Sequence, residues 1–219
     1  LAPAAFLPLI HHGAMEVPFG EWVIDSALAL AAQLQAQGLD LPVSVNVAAP
    51  HLQQQGFATW MAACLARHPG VPARLLDLEI TESAALYDID HVAAELAQLR
   101  ALGVTISLDD FGTGYSSLTY LRQLPLDTLK IDQSFVHDML VNPNNRTIIQ
   151  GVAGLAASFG YTLIAEGVET WEQCQLLQKV GCSVAQGYFF ARPMAVEQFL
   201  GWQASWNIPA VSADQPLDA

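Results

Sequence analysis

The chain has 219 residues, of which 53% are hydrophobic and 13% are charged, a length that suits one large domain and a composition that excludes an intrinsically disordered chain. Its formal net charge of −13, with only eight lysine and arginine residues, would repel long nucleic acids. A small anionic ligand remains compatible with this charge if metal ions reverse its sign locally.

The sequence contains no uninterrupted apolar run of transmembrane length, and its N-terminus lacks the basic start of a signal peptide. Three cysteines, Cys64, Cys174 and Cys182, have no metal-like spacing and fit a reducing compartment. We therefore expect a cytoplasmic protein, or the cytoplasmic domain of a membrane-anchored protein, that does not itself insert into the membrane.

In chain order, residues 1–10 are predicted to form a short helical turn and a loop. Short apolar runs then predict six strands, at 43–47, 75–80, 104–108, 128–132, 162–165 and 183–185. Helical spacing predicts seven helices around them, at 21–37, 57–67, 90–102, 118–121, 146–159, 171–180 and 196–202. We expect one domain at 1–205 and a flexible tail at 206–219.

Regular alternation of strands and helices predicts a parallel sheet with helices outside it, as a barrel or as an open doubly wound sheet. The near-continuous apolar strands fit burial on both faces. Every predicted strand ends in polar residues, which are Asn46, Glu79, Asp109 with Asp110, Lys130 with Asp132, Glu166, and Gln186. In a barrel all six ends meet at one mouth, whereas an open sheet gathers ligands from two or three strands. The pattern favours a TIM-like (β/α)8 barrel, an α/β fold, with about two strands preceding Leu1.

Five of the strand-end residues are hard oxygen donors, which suit Mg²⁺ or Mn²⁺: Asn46, Glu79, Asp109, Asp110 and Glu166. Four carboxylates at one mouth repel one another, and two divalent ions would neutralise them, as in two-metal phosphoryl hydrolases. Asp109 is the natural bridge between two ions. Lys130 would supply a fixed positive charge against the attacking water.

Gln186 could read a base or sugar edge through its amide. Other candidates have a structural alternative beside the functional one, and Asn46 is either an ion ligand or a hydrogen-bonded structural amide. Asp132 and Glu169 are either substrate-binding residues or loop carboxylates. Glu82 follows Glu79 by about one helical turn, and it either supports catalysis or caps the next segment.

Read in order, these motifs resemble the EAL domain, the family of cyclic di-GMP phosphodiesterases. The resemblance covers about the first 200 residues, and the segments that carry it are LAPAAFLPL at 1–9, GEWV at 20–23, SVNV at 44–47, LEITES at 78–83, DDFGTGYSS at 109–117, LKID at 129–132, AEGVE at 165–169 and QGY at 186–188. The resemblance implies a barrel that hydrolyses one phosphodiester bond of cyclic di-GMP to linear pGpG, in second-messenger signalling, with two Mg²⁺ or Mn²⁺ ions.

The resemblance also implies a role for each matching residue. A first ion would be held by Asn46, Glu79 and Asp109, and a second by Asp109, Asp110 and Glu166. Lys130 would contact the attacking water and Gln186 the ligand. Glu82 would brace the loop from Asp110 to Ser117, through which the family implies a homodimer. Other signalling domains are expected in the full protein.

The Glu-Ala-Leu-x-Arg motif that names the family does not occur in the sequence, and Met15-Glu16-Val17 is predicted to lie in a loop. The motif would belong to one of the two strands expected before Leu1. Two alternatives to the phosphodiesterase remain: a catalytically inactive receptor of the EAL type that binds cyclic di-GMP, and a barrel enzyme that acts on another phosphate ester.

Overall fold

The computed structural model describes residues 3–11, 13–86, 88–114 and 118–206. These residues form six strands, which are β1 Val43–Asn46, β2 Leu76–Thr81, β3 Thr105–Phe111, β4 Thr128–Ile131, β5 Thr162–Ala165 and β6 Val184–Ala185. They also form eleven α-helices, which are α1 Pro3–Ile10, α2 Glu16–Ala36, α3 Ala49–Leu52, α4 Phe57–Ala66, α5 Glu82–Leu86, α6 Ile89–Ala101, α7 Leu118–Gln123, α8 Gln133–His137, α9 Pro143–Phe159, α10 Trp171–Lys179 and α11 Val196–Ser205. None of the helices described is long and apolar enough to cross a membrane.

The six strands form one parallel sheet in which each strand pairs with the next one along the chain, from β1 to β6. A doubly wound sheet would reverse its strand order at a switch point, and this sheet does not. The sequential order is that of a barrel wall. The predicted barrel type is therefore confirmed, as a parallel six-stranded half-barrel.

The two faces of the sheet differ in polarity. In β2 the outward side chains Leu76, Leu78 and Ile80 are fully buried against the helices, while Asp77 and Glu79 alternate with them and lie on the inner face. The prediction that both faces are buried holds for this strand. The inner face of β2 is nevertheless polar, so this strand is not apolar throughout.

Helix α2 begins at Glu16, not at residue 21 as predicted, so residues 16 and 17 are helical and not part of a loop. Pro18 and Gly20 both disfavour helix, but a proline in the first turn breaks no helical hydrogen bond. Residues 3–10 likewise form a helix where a turn and a loop were expected. The short helices α3, α5 and α8 have too few turns to show a helical period in sequence. The predicted C-terminal tail lies outside the described residues beyond Trp206.

The loop after β5 is held by a capping box at the start of α10. The Thr170 hydroxyl accepts a hydrogen bond from the Gln173 N–H at 3.2 Å, and the Gln173 side chain accepts from the N–H groups of Thr170 and Glu169. The buried Gln173 amide also donates to the carbonyl of Val136 at 3.0 Å. The loop that carries Glu166 and Glu169 is thus fixed between two helices.

Candidate functional site

Lys130 lies at the end of β4, where three carboxylates from neighbouring strands surround its ammonium group. Its Nζ is 2.7 Å from Glu79 Oε1, 3.2 Å from Asp109 Oδ1 and 2.5 Å from Glu166 Oε1. Lys130 is only 2% exposed. The strand-end residues of β2, β3, β4 and β5 therefore meet at one mouth, as the barrel prediction requires.

Negative charge exceeds positive charge at this mouth. Burial raises the pKa of both Glu79 and Glu166, and the attraction of Lys130 opposes that rise. Burial acts to lower the pKa of Lys130, but its hydrogen bonds with Glu166 and Glu79 outweigh burial and raise it above the ordinary lysine value. Lys130 is therefore a permanent cation, and the carboxylates around it still lack a full counter-charge.

Strand β3 contains a β-bulge at Asp109 and Asp110. Leu108 pairs with Leu129 and Phe111 pairs with Ile131, so two residues of β3 lie opposite one residue of β4. Asp110 has a positive φ of 55° in this bulge. Adjacent residues of a regular strand point to opposite faces, and a bulge re-aims one of them. The bulge allows both carboxylates to face the mouth.

The carboxylates of this bulge fit a cation. Asp109, Asp110 and Glu166 each offer an oxygen atom, and these atoms lie within 4.8 Å of one another. Burial and the nearby charges of Asp109 and Asp132 raise the pKa of Asp110. Asp109 Oδ1 is buried and, apart from its ion pair with Lys130, has no hydrogen-bond partner within the described part of the chain. An all-oxygen donor set of this kind suits a hard divalent ion.

Two amide side chains hold the flanking carboxylates. Asn46 Nδ2 donates to Glu79 Oε2 at 3.2 Å, and Gln186 Nε2 donates to Glu166 Oε1 at 2.7 Å. Asn46 ends β1 and Gln186 follows β6, so the first and last strands of the half-barrel also reach the mouth. All six predicted strand ends therefore converge.

A cleft of about 790 Å³ opens beside Glu166. Glu169 and Gln186 line it, as do Tyr188 and Arg192, whose guanidinium carbon lies 4.5 Å from the centre of the Tyr188 ring. Four aromatic residues that contact one another also line it: Phe190, Phe199, Trp202 and Trp206. A cleft of this size, lined by both polar groups and aromatic rings, suits a small ligand with planar rings.

Two further predicted residues, Glu82 and Asp132, contact a loop and cap a helix, respectively. Glu82 begins α5, is 7% exposed, and neither of its carboxylate oxygens has a hydrogen-bond partner among the residues that the structure describes. A Cβ on Gly114 would lie 2.7 Å from Glu82 Oε1, so Glu82 packs against the loop after β3. Residues 115–117 of the predicted loop lie outside the described residues. Asp132 caps α8 by accepting from the N–H of Ser134 at 3.0 Å.

Sequence reasoning missed Tyr188, Arg192 and Asp77. Arg192 is one of only eight basic residues and follows the QGY segment closely, and that position was an available signal. Asp77 lies in the interior of β2, where a carboxylate within an apolar run was likewise a signal.

The fold and the mouth together define a β/α-barrel protein with an acidic site of the kind that binds divalent cations. The sequence model of the EAL domain family matches residues 1–193, and the chain belongs to this family.

Relatives of the chain include phosphodiesterases of Pseudomonas aeruginosa. The chain is 41% identical over 202 residues to the cyclic di-GMP phosphodiesterase PA2567, covering 92% of this chain and 34% of that protein. It is 39% identical over 201 residues to MucR, a bifunctional diguanylate cyclase/cyclic di-GMP phosphodiesterase of the same organism, covering 91% of this chain and 29% of MucR. The chain thus spans about a third of the length of these relatives.

Solved structures of the family are similar in fold. The PaMucR phosphodiesterase in complex with c-di-GMP superposes with a TM-score of 0.86 at 38% identity, covering 91% of this chain and 81% of that one. The EAL domain of Mycobacterium smegmatis DcpA superposes with a TM-score of 0.81 at 38% identity, covering 87% and 86%.

Proposed function

We propose that the chain is a phosphodiesterase domain that hydrolyses one phosphodiester bond of cyclic di-GMP to linear pGpG. The observation that carries the proposal is that Glu79, Asp109 and Glu166 surround Lys130 at one mouth. Asp110 offers a further carboxylate beside Asp109 and Glu166. The similarity to PA2567 supports the choice of substrate.

The donor set supports two ions, Mg²⁺ or Mn²⁺. Asn46, Glu79 and Asp109 would hold one, and Asp109, Asp110 and Glu166 the other. The Asn46 nitrogen bonds to Glu79, which leaves the amide oxygen as its ligand atom. When bound, the ions supply Lewis acidity at the phosphate and lower the pKa of water.

The chain's own side chains have distinct tasks in this proposal. Lys130 places a fixed positive charge where negative charge grows as water adds to phosphorus and one P–O bond to ribose breaks. Gln186 and Glu169 contact the ligand from the cleft that they line. Asp132 caps α8 through Oδ1, and its other carboxylate oxygen would contact the substrate. Glu82 braces the loop that contains Gly114.

We further propose the bounds of the domain, its oligomeric state and the presence of adjoining domains. The barrel domain covers residues 1–205 and a tail covers 206–219. Two copies associate as a homodimer through the loop after Asp110, and other signalling domains adjoin the barrel, since the relatives are much longer than this chain.

A turnover assay with cyclic di-GMP tests the proposal. The reaction is run once in Mn²⁺ and once in EDTA, and chromatography measures the pGpG that is formed. Asp109→Asn should lower kcat at least about a hundredfold, because loss of a shared ion ligand removes several kcal/mol of transition-state stabilisation. Asp138→Asn, at an exposed position beyond α8, is the control. Full turnover in EDTA or with Asp109→Asn would refute the metal assignment. Tight binding without product would indicate the receptor instead.

A further inference from the structure

A second polar layer lies directly beneath the mouth. Asp77 in β2 accepts hydrogen bonds from serines of both neighbouring strands. Ser44 Oγ of β1 donates to Asp77 Oδ2 at 2.9 Å, and Ser107 Oγ of β3 lies 2.8 Å from Oδ1 and 2.9 Å from Oδ2. We call Ser44, Asp77 and Ser107 the clasp.

Each residue of the clasp precedes a proposed ion ligand by two positions. These pairs are Ser44 and Asn46, Asp77 and Glu79, and Ser107 and Asp109. Side chains two positions apart in a strand point to the same face. The strand register agrees, because Ser44 pairs with Asp77 and Asn46 pairs with Glu79. The clasp is therefore a cross-strand tie one layer below the three proposed ligands of the first ion.

The clasp is a poor way to gain stability. Asp77 is 8% exposed, and among the described residues its side chain has two hydroxyl donors and no cation within salt-bridge distance. A buried carboxylate without a cation is rare because desolvation of the charge is expensive. Apolar side chains at the three positions would fill the same space without the free-energy cost of desolvating a carboxylate. Packing alone therefore does not explain the polar contacts of Asp77.

We propose that Asp77 is a positioning residue for the cation site. Through Ser44 and Ser107 it fixes β1 and β3 against β2, and this orients Asn46, Glu79 and Asp109 for a shared ion. The inference rests on the proposed function, since it takes those three residues as ligands. Contacts that orient metal ligands are worth about 10- to 100-fold in metal affinity, and the clasp should fall within that range.

Mn²⁺ binding to the chain, measured by electron paramagnetic resonance, tests this inference without any turnover. The first variant is Asp77→Asn. The second is the double variant Ser44→Ala with Ser107→Ala, which keeps the Asp77 carboxyl group and removes the tie. Both should bind Mn²⁺ about tenfold more weakly or worse. Glu95→Gln is the matched control, because Glu95 is 7% exposed and accepts from the Ala58 N–H at 2.9 Å in another part of the fold.

Thermal unfolding in EDTA and in Mn²⁺ separates positioning from folding. The rise in Tm that Mn²⁺ causes should be smaller in both clasp variants, whereas a merely structural role would lower Tm equally in both buffers.

Unchanged Mn²⁺ affinity in the double variant overturns the inference, even if Asp77→Asn fails to fold or binds weakly through lost charge. If the wild-type chain binds no Mn²⁺, both the metal assignment and this inference are overturned. If the wild-type chain binds Mn²⁺ and the clasp variants bind it equally well, only this inference is overturned.

Discussion

Lys130 determines the electrostatics of the mouth because its ammonium group is the cation that the buried carboxylates share. It contacts Glu79, Asp109 and Glu166 and is almost fully buried. A buried charge network of this kind contributes little net stability while it is complete, but removing one member leaves the others uncompensated. The lysine is therefore needed for the stability of the metal-free fold as well as for the proposed chemistry.

Lys130→Met should lower the free energy of unfolding at pH 7 in EDTA by about 3–5 kcal/mol, because three buried carboxylates lose their cation. The loss should shrink as the pH falls towards 4.5. The pKa values of Glu79 and Glu166 are raised in the folded state, so folding takes up protons in this window and acid relieves the repulsion. Urea unfolding at both pH values measures the difference.

The other lysine of the chain, Lys179, provides the control for this prediction. It lies exposed at the end of α10, and Lys179→Met should change stability by no more than about 0.5 kcal/mol. Equal losses in the two variants, or a loss at Lys130 that does not depend on pH, would contradict the charge network around Lys130.

At the scale of the elements, strands β1 to β5 were predicted within a residue or so, except for the end of β3. That strand continues through Asp109 and Asp110 to Phe111. In a regular strand, adjacent residues such as Asp109 and Asp110 point to opposite faces. Strand periodicity in the sequence therefore does not reveal the bulge that turns both side chains to the mouth. The bulge depends on the pairing of β3 with β4, which is a tertiary contact.

Helix α2 packs against α3 at Gly20, and the contact leaves no room for a larger residue. A Cβ there would lie 2.7 Å from Nδ1 of His51, which is 1% exposed and whose ring centre lies 4.4 Å from that of Phe57, with the two planes tilted by 54°. Burial lowers the pKa of His51 to about 4, so the ring is neutral and tightly packed at pH 7. Gly20→Ala should lower the free energy of unfolding by about 1–3 kcal/mol through overpacking, although alanine favours helix.

Gly151→Ala in α9 is the matched helical control for Gly20→Ala. A Cβ on Gly151 would meet no atom within 4 Å, so helix propensity alone should raise the free energy of unfolding by about 0.5–1 kcal/mol. Chemical denaturation of the two variants measures the contrast. If both substitutions stabilise the protein, the packing of α2 on His51 is looser than the structure indicates.

At the scale of the molecule, the order of strands and the position of the mouth followed from sequence, because alternation and strand-end polarity are local patterns that parallel topology brings together. The aromatic lining of the cleft could not be predicted in the same way. Its rings come from the segment after β6, from α11 and from Trp206 directly after it, and their approach to the cleft depends on tertiary packing.

The net charge of −13 predicts how salt affects the affinity for the proposed ligand, because its two phosphodiester groups are also negative. In EDTA, cyclic di-GMP should bind weakly, and its affinity should rise on the order of two- to fivefold as NaCl increases from about 50 to about 300 mM, because salt screens repulsion between like charges. In Mn²⁺ the affinity should be higher and less dependent on salt, since the proposed ions would neutralise Glu79, Asp109, Asp110 and Glu166. Calorimetric titration measures both, with uncharged guanosine as the control. Affinity in EDTA that falls as salt rises would mean that Arg192 and Lys130 dominate the field at the cleft, contrary to the net charge.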